Sequence, residues 1–123
     1  EAVVIAKLPA LWEKYQLAGR AHTTSFNPRY LHGMLHTAPQ IPRGFLFEED
    51  FAGDVIAVAA AVGATSLGPH QRRCTPELIQ QAHKAGLMVS TWTVNDQSRA
   101  MALAAMGVDA IITDVPTQAL RWF

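Results

Sequence analysis

Two segments decide the fold: Gly86-Leu-Met-Val-Ser-Thr-Trp-Thr-Val-Asn95 and Gly107-Val-Asp-Ala-Ile-Ile-Thr-Asp114. Each runs from a glycine of the kind that ends a helix, through an apolar strand, to a polar tip. The residues between them fit one helix, so the two strands are predicted to lie parallel. Polar residues at the carboxyl ends of parallel strands are where α/β folds place their ligand sites. The pattern therefore predicts part of an α/β enzyme.

The same alternation of strand and helix extends along the whole chain. We predict strands at 21–26, 44–47, 64–67, 87–93 and 110–113, and helices at 3–16, 27–36, 54–62, 75–85, 95–106 and 114–123. Pro9 is predicted to kink or split the first helix, and Gly68-Pro69 to form a loop. Because the strands are nearly wholly apolar, we predict a parallel sheet that is buried on both faces.

Five strand–helix units are compatible with two architectures. One is a small open sheet, and the other is part of an eight-stranded barrel, which normally needs about 250 residues. The chain has 123 residues, which allows one domain at most. No glycine-rich phosphate fingerprint follows the first strand, which argues against a nucleotide-binding open sheet.

Composition excludes several classes of partner. Ten basic and ten acidic residues cancel, so no net field attracts nucleic acid or an anionic membrane. No apolar run approaches the roughly 20 residues of a transmembrane helix, and no signal peptide is recognisable. These features favour a soluble, cytoplasmic protein over a secreted one. Cys74 is the only cysteine; an incidental thiol is favoured over a thiolate activated by Arg72 and Arg73.

Several motifs together resemble a known enzyme family. They are Trp92-Thr-Val-Asn95, Gly107-Val-Asp-Ala-Ile-Ile-Thr-Asp-Val-Pro116, Ser25-Phe26, Thr75-Pro-Glu-Leu-Ile79 with Ala82-His-Lys-Ala-Gly86, and Pro28-Arg29 followed by Ile41-Pro-Arg-Gly-Phe-Leu46. Taken together, these motifs resemble the C-terminal half of glycerophosphodiester phosphodiesterases, and the resemblance covers essentially the whole chain.

The resemblance implies a partial parallel (βα)8 barrel of the TIM type. Residues 1–123 would span strands 4–8 with their helices, and strands 1–3 would be absent. The His-Arg-Gly motif, the acidic residues and the second catalytic His of the family have no counterpart here. The resemblance therefore implies that this chain holds no catalytic residue and no metal ligand.

For the parent enzyme, the resemblance implies metal-dependent hydrolysis of a glycerophosphodiester to glycerol 3-phosphate and an alcohol. A divalent cation, calcium or magnesium, would be the cofactor, and a small-molecule glycerophosphodiester the partner. The chain alone is expected to be inactive. Self-association or a missing N-terminal half is expected as well, because an open arc of strands exposes two edges and an inner face.

Four residues are candidates for substrate binding. Trp92 and Phe26 are predicted to form an apolar wall for the glycerol moiety, with core packing as the alternative. Asn95 faces substrate or, as the favoured alternative, caps the following helix. His70 reaches the phosphate or is simply an exposed loop residue. Thr113 and Asp114 are expected to cap the last helix and to tie down the loop before it rather than to act in catalysis.

A metal site within the chain is not expected. His32 and His36 share one helix face, but no Glu between them completes the zinc protease pattern and no third ligand is apparent. Glu48, Glu49 and Asp50 are interpreted as a solvated loop.

Two alternatives to the enzyme remain open. One is a non-catalytic truncated barrel that serves as a binding or scaffold module. The other is a different phosphate-binding α/β barrel, since fold alone does not fix chemistry.

Overall fold

A computed structural model describes residues 2–123 and confirms the alternation of strands and helices. In chain order the elements are α1 (Ala2–Lys14), β1 (Thr23–Ser25), α2 (Pro28–Thr37), β2 (Arg43–Phe47), α3 (Val55–Ala61), β3 (Ser66–Pro69), a 3-10 turn (Gln71–Arg73), α4 (Pro76–Lys84), β4 (Met88–Thr91), α5 (Gln97–Met106), β5 (Ala110–Ile111) and α6 (Pro116–Ala119). Within this part of the chain, no helix is long and apolar enough to cross a bilayer.

The five strands form one parallel sheet in the order in which they occur along the chain. Phe45 of β2 lies opposite Ser25 of β1 and Leu67 of β3, and Leu67 lies opposite Val89 of β4. Successive parallel strands joined by right-handed crossovers leave their helices on the same face of the sheet. Because all strand pairs are parallel, the carboxyl ends of the strands meet at one edge of the sheet.

Only one face of this sheet is packed. Phe45, Leu67 and Val89 are fully buried and pack against residues of α3 and α4 such as Ala59 and Ile79. The prediction of burial on both faces is therefore wrong. Successive side chains of a strand point to opposite faces, so the apolar runs divide between the two.

Mostly small side chains, with Leu46 and Met88 as the large ones, occupy the other face, which we call the inner face. It comprises the alternate strand residues, which are Thr24, Gly44, Leu46, Ser66, Gly68, Met88, Ser90 and Ala110. Met88 is 58% exposed there. Gly44 is required by close approach, because a Cβ at this position would lie 2.6 Å from Ser66 Oγ. An open concavity of about 260 Å³ lies on this face.

Most helix caps agree with the sequence, and three local predictions are corrected. The side chains of Asn27, Asp54, Thr75 and Asp96 each accept a hydrogen bond from the first turn of the helix that follows. The Asp96 carboxylate caps α5, so the expectation that Asn95 caps this helix is wrong. Pro9 does not split α1, which is one continuous helix. Gly68-Pro69 is not a loop but the end of β3.

Asp109 joins α4, β4 and β5 at the amino-terminal edge of the sheet. Its carboxylate accepts a hydrogen bond from the Val89 N–H at 2.7 Å and lies 2.9 Å from His83 Nε2. Burial alone would raise the pKa of this carboxyl, but the contacts with Val89 and His83 outweigh it and lower the pKa below its usual value. The contact holds the start of β5 against its neighbour.

Arg43 is a buried cation whose partners are backbone carbonyls. It is 5% exposed, and its guanidinium donates to Ile41 O at 2.8 Å, Gly63 O at 3.1 Å and Val62 O at 3.2 Å. Longer contacts reach Ala38 O and Pro39 O. Burial lowers the pKa of this guanidinium. The planar fork thus joins the loop before β2 to the turn after α3, a task that suits arginine and not lysine.

Replacement of Arg43 should destabilise the fold strongly. In Arg43→Met the carbonyls lose their donors, and we expect a loss of about 3 kcal/mol in the free energy of unfolding. Arg43→Lys should recover only part of this loss. Urea denaturation followed by circular dichroism measures the effect, with exposed Arg20→Met as the matched control. Equal stability of the Arg43 and Arg20 variants would contradict this role.

Candidate functional site

The residues that follow the strand ends form a cluster at the carboxyl edge of the sheet. Phe26 follows β1, Glu48 and Glu49 follow β2, His70 follows β3 and Trp92 follows β4. Phe26, His70 and Trp92 continue the alternation of the inner face, so all three lie on that side. The parallel topology therefore places three ring side chains next to one another.

Trp92 is the centre of this cluster. Its ring lies edge-on to Phe26 with the centroids 5.3 Å apart, and edge-on to His70 at 5.2 Å. The indole Nε1 donates a hydrogen bond to Gly68 O at 2.8 Å. Because its one polar atom is used inside the protein, the rest of the indole presents an apolar surface. Phe26 completes this surface and is itself 50% exposed.

The contact between Phe26 and Trp92 also shows that the sheet is curved. β1 and β4 are separated by two strands, so in a flat sheet they would be roughly 14 Å apart. Their following aromatic rings nevertheless touch across the inner face. The sheet therefore bends towards this face, as the wall of a barrel does.

His70 links the ring cluster to the loop after β2. Its Nδ1 accepts from the Arg72 N–H at 3.3 Å and also lies 3.3 Å from Glu49 Oε1. Glu49 Oε1 is 3.6 Å from Arg72 Nη1 as well. The His70 side chain is 21% exposed, so it is half-buried rather than an exposed loop residue. When Nδ1 accepts, the proton resides on Nε2, which is then a hydrogen-bond donor.

Asn95 lies in a separate hydrogen-bond network. Its Oδ1 accepts from Thr113 Oγ1 at 3.0 Å and from the Asp114 N–H at 2.9 Å, and its Nδ2 donates to Asp114 Oδ2 at 2.9 Å. The Thr113 hydroxyl also accepts from the Val115 N–H. This network ties the loop after β4 to the loop after β5, as expected for Thr113 and Asp114. The prediction that these two residues cap the last helix is wrong, because Val115 holds the cap position of α6 and no side chain caps it. A direct contact between Asn95 and substrate stays a prediction.

Two supporting residues were not found by sequence reasoning. The Gln71 N–H donates to Trp92 O at 2.9 Å, and the Gln71 side chain donates to Thr93 O. Arg99 of α5 in turn donates to Gln71 Oε1 and Gln71 O. Together they hold the backbone around Trp92. Nothing in the local sequence reveals these pairs, because Gln71 and Arg99 are 28 residues apart.

Cys74 is a structural thiol. It is 5% exposed and packs with Val94, Ala100 and Leu103. Burial raises the pKa of this thiol, and the opposing effects of Thr91 and Arg99 are smaller. The incidental thiol is therefore the correct interpretation.

The described residues bring together no metal centre with three or more protein ligands. Among residues 2–123, no group of three or more His, Cys, Asp or Glu side chains is arranged to hold an ion. Of the acidic loop, Glu49 is directed at His70 and Arg72. A divalent cation of the catalytic kind therefore does not fit any ligand set in this part of the chain.

Comparison with known proteins places these features in one family. The glycerophosphoryl diester phosphodiesterase family matches residues 2–118. A glycerophosphodiester phosphodiesterase of Caldanaerobacter subterraneus is 30% identical over 110 residues, which are 89% of this chain and 45% of that protein.

Solved structures agree with the sequence comparison. A Silicibacter pomeroyi protein assigned as a glycerophosphoryl diester phosphodiesterase is 30% identical with a TM-score of 0.86, covering 96% of this chain and 42% of that one. An Oleispira antarctica phosphodiesterase in complex with the product sn-glycerol-3-phosphate is 25% identical with a TM-score of 0.74, covering 80% and 40%. The expected partial α/β barrel is thereby confirmed. The chain spans less than half the length of these relatives.

Proposed function

Because the chain belongs to the glycerophosphoryl diester phosphodiesterase family, we propose that it forms strands 4–8 of a barrel that hydrolyses glycerophosphodiesters. The products are glycerol 3-phosphate and an alcohol such as choline or ethanolamine. The ring cluster of Phe26, His70 and Trp92 at the carboxyl edge is the observation that carries this proposal. The product bound by the Oleispira phosphodiesterase is consistent with the proposed substrate class.

The residues of the cluster divide the binding of the substrate between them. Trp92 and Phe26 form an apolar wall against the carbon skeleton of the glycerol, since the indole Nε1 is already paired with Gly68 O. His70 offers an Nε2 proton to a phosphate oxygen while its Nδ1 accepts from Arg72. Asn95 supports the neighbouring loop through Thr113 and Asp114 and borders the site.

The acid–base residues and the cation of this reaction are proposed to come from another part of the barrel. A calcium or magnesium ion is held by several oxygen ligands, and residues 2–123 bring together no such set. The family's His-Arg-Gly motif is likewise absent from the sequence. This chain therefore contributes binding and positioning to the proposed enzyme, and it is inactive alone.

An assay of glycerol 3-phosphate release from glycerophosphocholine tests whether this chain supplies binding residues only, while another part of the barrel supplies the acid–base residues and the cation. We expect no release by the isolated chain with calcium or magnesium, because acid–base groups and the metal each contribute orders of magnitude to the rate. A chimera that joins this chain to the N-terminal half of the Caldanaerobacter enzyme should be active and sensitive to a chelator. Release by the isolated chain contradicts its inactivity. A folded but inactive chimera contradicts the proposed function and favours a scaffold module.

Variants of Trp92 in the same chimera test the apolar wall. Trp92→Ala should lower kcat/KM about tenfold to a hundredfold, since burial of one large side chain is worth about 1.5–3 kcal/mol. Trp92→Phe keeps most of the wall but loses the bond to Gly68 O, so its loss should be smaller. Tyr15→Ala, which removes an exposed aromatic residue from the turn after α1, is the matched control. An unchanged kcat/KM in Trp92→Ala would show that the indole only fills space.

The open sheet leads to a prediction about assembly. β1 and β5 are edge strands, and the inner face carries the exposed Met88. We propose that the rest of the barrel covers these surfaces and that the isolated chain associates with a second copy instead. Sedimentation velocity should show concentration-dependent association, weakened by Met88→Glu but not by Met101→Glu on the opposite, helical side. A monomer at every concentration, or equal effects of the two variants, would contradict this.

A further inference from the structure

His32 and His36 form a pair on the outer surface of α2. Both are exposed, and they lie one helical turn apart. Their Nε2 atoms are 3.2 Å from each other, and their rings meet edge to face with the centroids 4.5 Å apart. The contacts that the structure records for each ring are those with the other. The proposed substrate site uses neither residue.

The distance between the two nitrogens matches the spacing of two ligands on one ion. Imidazole nitrogens bind zinc at about 2.0–2.1 Å, so two of them on a tetrahedral or square ion are about 3 Å apart. The observed 3.2 Å is close to this spacing. In the absence of an ion, the same geometry permits a single Nε2–H···Nε2 hydrogen bond. When an ion binds, the donor ring carries its proton on Nδ1 instead, so that both Nε2 lone pairs are available to the ion.

The backbone that carries the pair is held in place independently of any ligand. Leu31 and Met34, on the opposite side of α2, are fully buried, and Asn27 caps the start of the helix. The two imidazoles therefore project from a fixed helical turn. A chelate on a rigid element loses little conformational freedom on binding, which favours affinity.

We propose that His32 and His36 form a surface chelate for one borderline transition-metal ion, Cu²⁺, Ni²⁺ or Zn²⁺, with water in the remaining positions. Imidazole ligands suit these ions, and Cu²⁺ should bind most tightly in this series. Calcium and magnesium prefer oxygen ligands and should not bind. The site is therefore separate in its chemistry from the divalent cation of the proposed hydrolysis. A bound ion bridges two turns of α2 and stabilises the folded chain.

Titration calorimetry of the chain without an affinity tag tests this site. We expect one saturable Cu²⁺, Ni²⁺ or Zn²⁺ ion per chain, no binding of Ca²⁺ or Mg²⁺, and a higher Tm in the presence of the transition metals. His32→Asn and His36→Asn should each lower the affinity at least tenfold, since each leaves a single ligand. His22→Asn, another exposed histidine outside the pair, is the matched control and should bind as the native chain does.

A spectroscopic measurement separates this chelate from adventitious binding. The electron paramagnetic resonance spectrum of the Cu²⁺ complex should show two equivalent imidazole nitrogens in the native chain and in His22→Asn, and one in each pair variant. Circular dichroism confirms that the variants are folded, as expected for exposed positions. Absence of saturable binding, or affinities unchanged by His32→Asn and His36→Asn, would overturn the proposal and leave the pair as a simple hydrogen bond.

Discussion

The structure depends on a parallel sheet that packs on one face only. Phe45, Leu67 and Val89 supply an apolar layer for the helices, whereas Gly44 and Ser66 keep the other face shallow. Bulky side chains on one side and small ones on the other allow the sheet to bend towards the small residues. The bend brings Phe26 and Trp92 into contact although two strands separate those that carry them. The candidate site is therefore a consequence of this asymmetry in side-chain size.

The sequence alone correctly predicted the features that depend on short segments of the chain. Asn27-Pro28 and Thr75-Pro76 begin helices because a side-chain oxygen caps the first turn and proline needs no partner for its nitrogen. Gly107 ends α5 because it adopts a left-handed conformation, with φ of 96°. The parallel orientation of the strands followed from the regular alternation of strands and helices. In each case the decisive atoms lie within a few residues of one another.

Features that rest on distant partners could not be predicted from the sequence. Arg43 is surrounded by apolar residues in the sequence, yet its buried guanidinium is satisfied by carbonyls from two separate loops. Asn95 and Asp96 are equally good caps by residue type, and only the presence of Thr113 and Asp114 nearby engages Asn95 elsewhere. The apolar strands suggested burial on both faces because the sequence does not show which residues of neighbouring strands lie side by side on one face of the sheet. The topology predicted that Phe26, His70 and Trp92 share an edge, but their contacts depend on the curvature.

At the carboxyl edge of the sheet, hydrogen bonds within the protein hold the ring of Trp92 in place. Each polar atom near Trp92 is directed into the protein: Nε1 to Gly68 O, the backbone carbonyl to the Gln71 N–H, and Gln71 itself to Arg99. Such bonds fix the position of an apolar surface. An apolar surface can contact a carbon skeleton, but it transfers no proton. His70 is the polar member of the ring cluster, and its Nδ1 is directed at the Arg72 N–H and at Glu49. In the function that we propose, this surface orients a bound molecule so that groups on the remaining strands of the barrel meet its reactive bond.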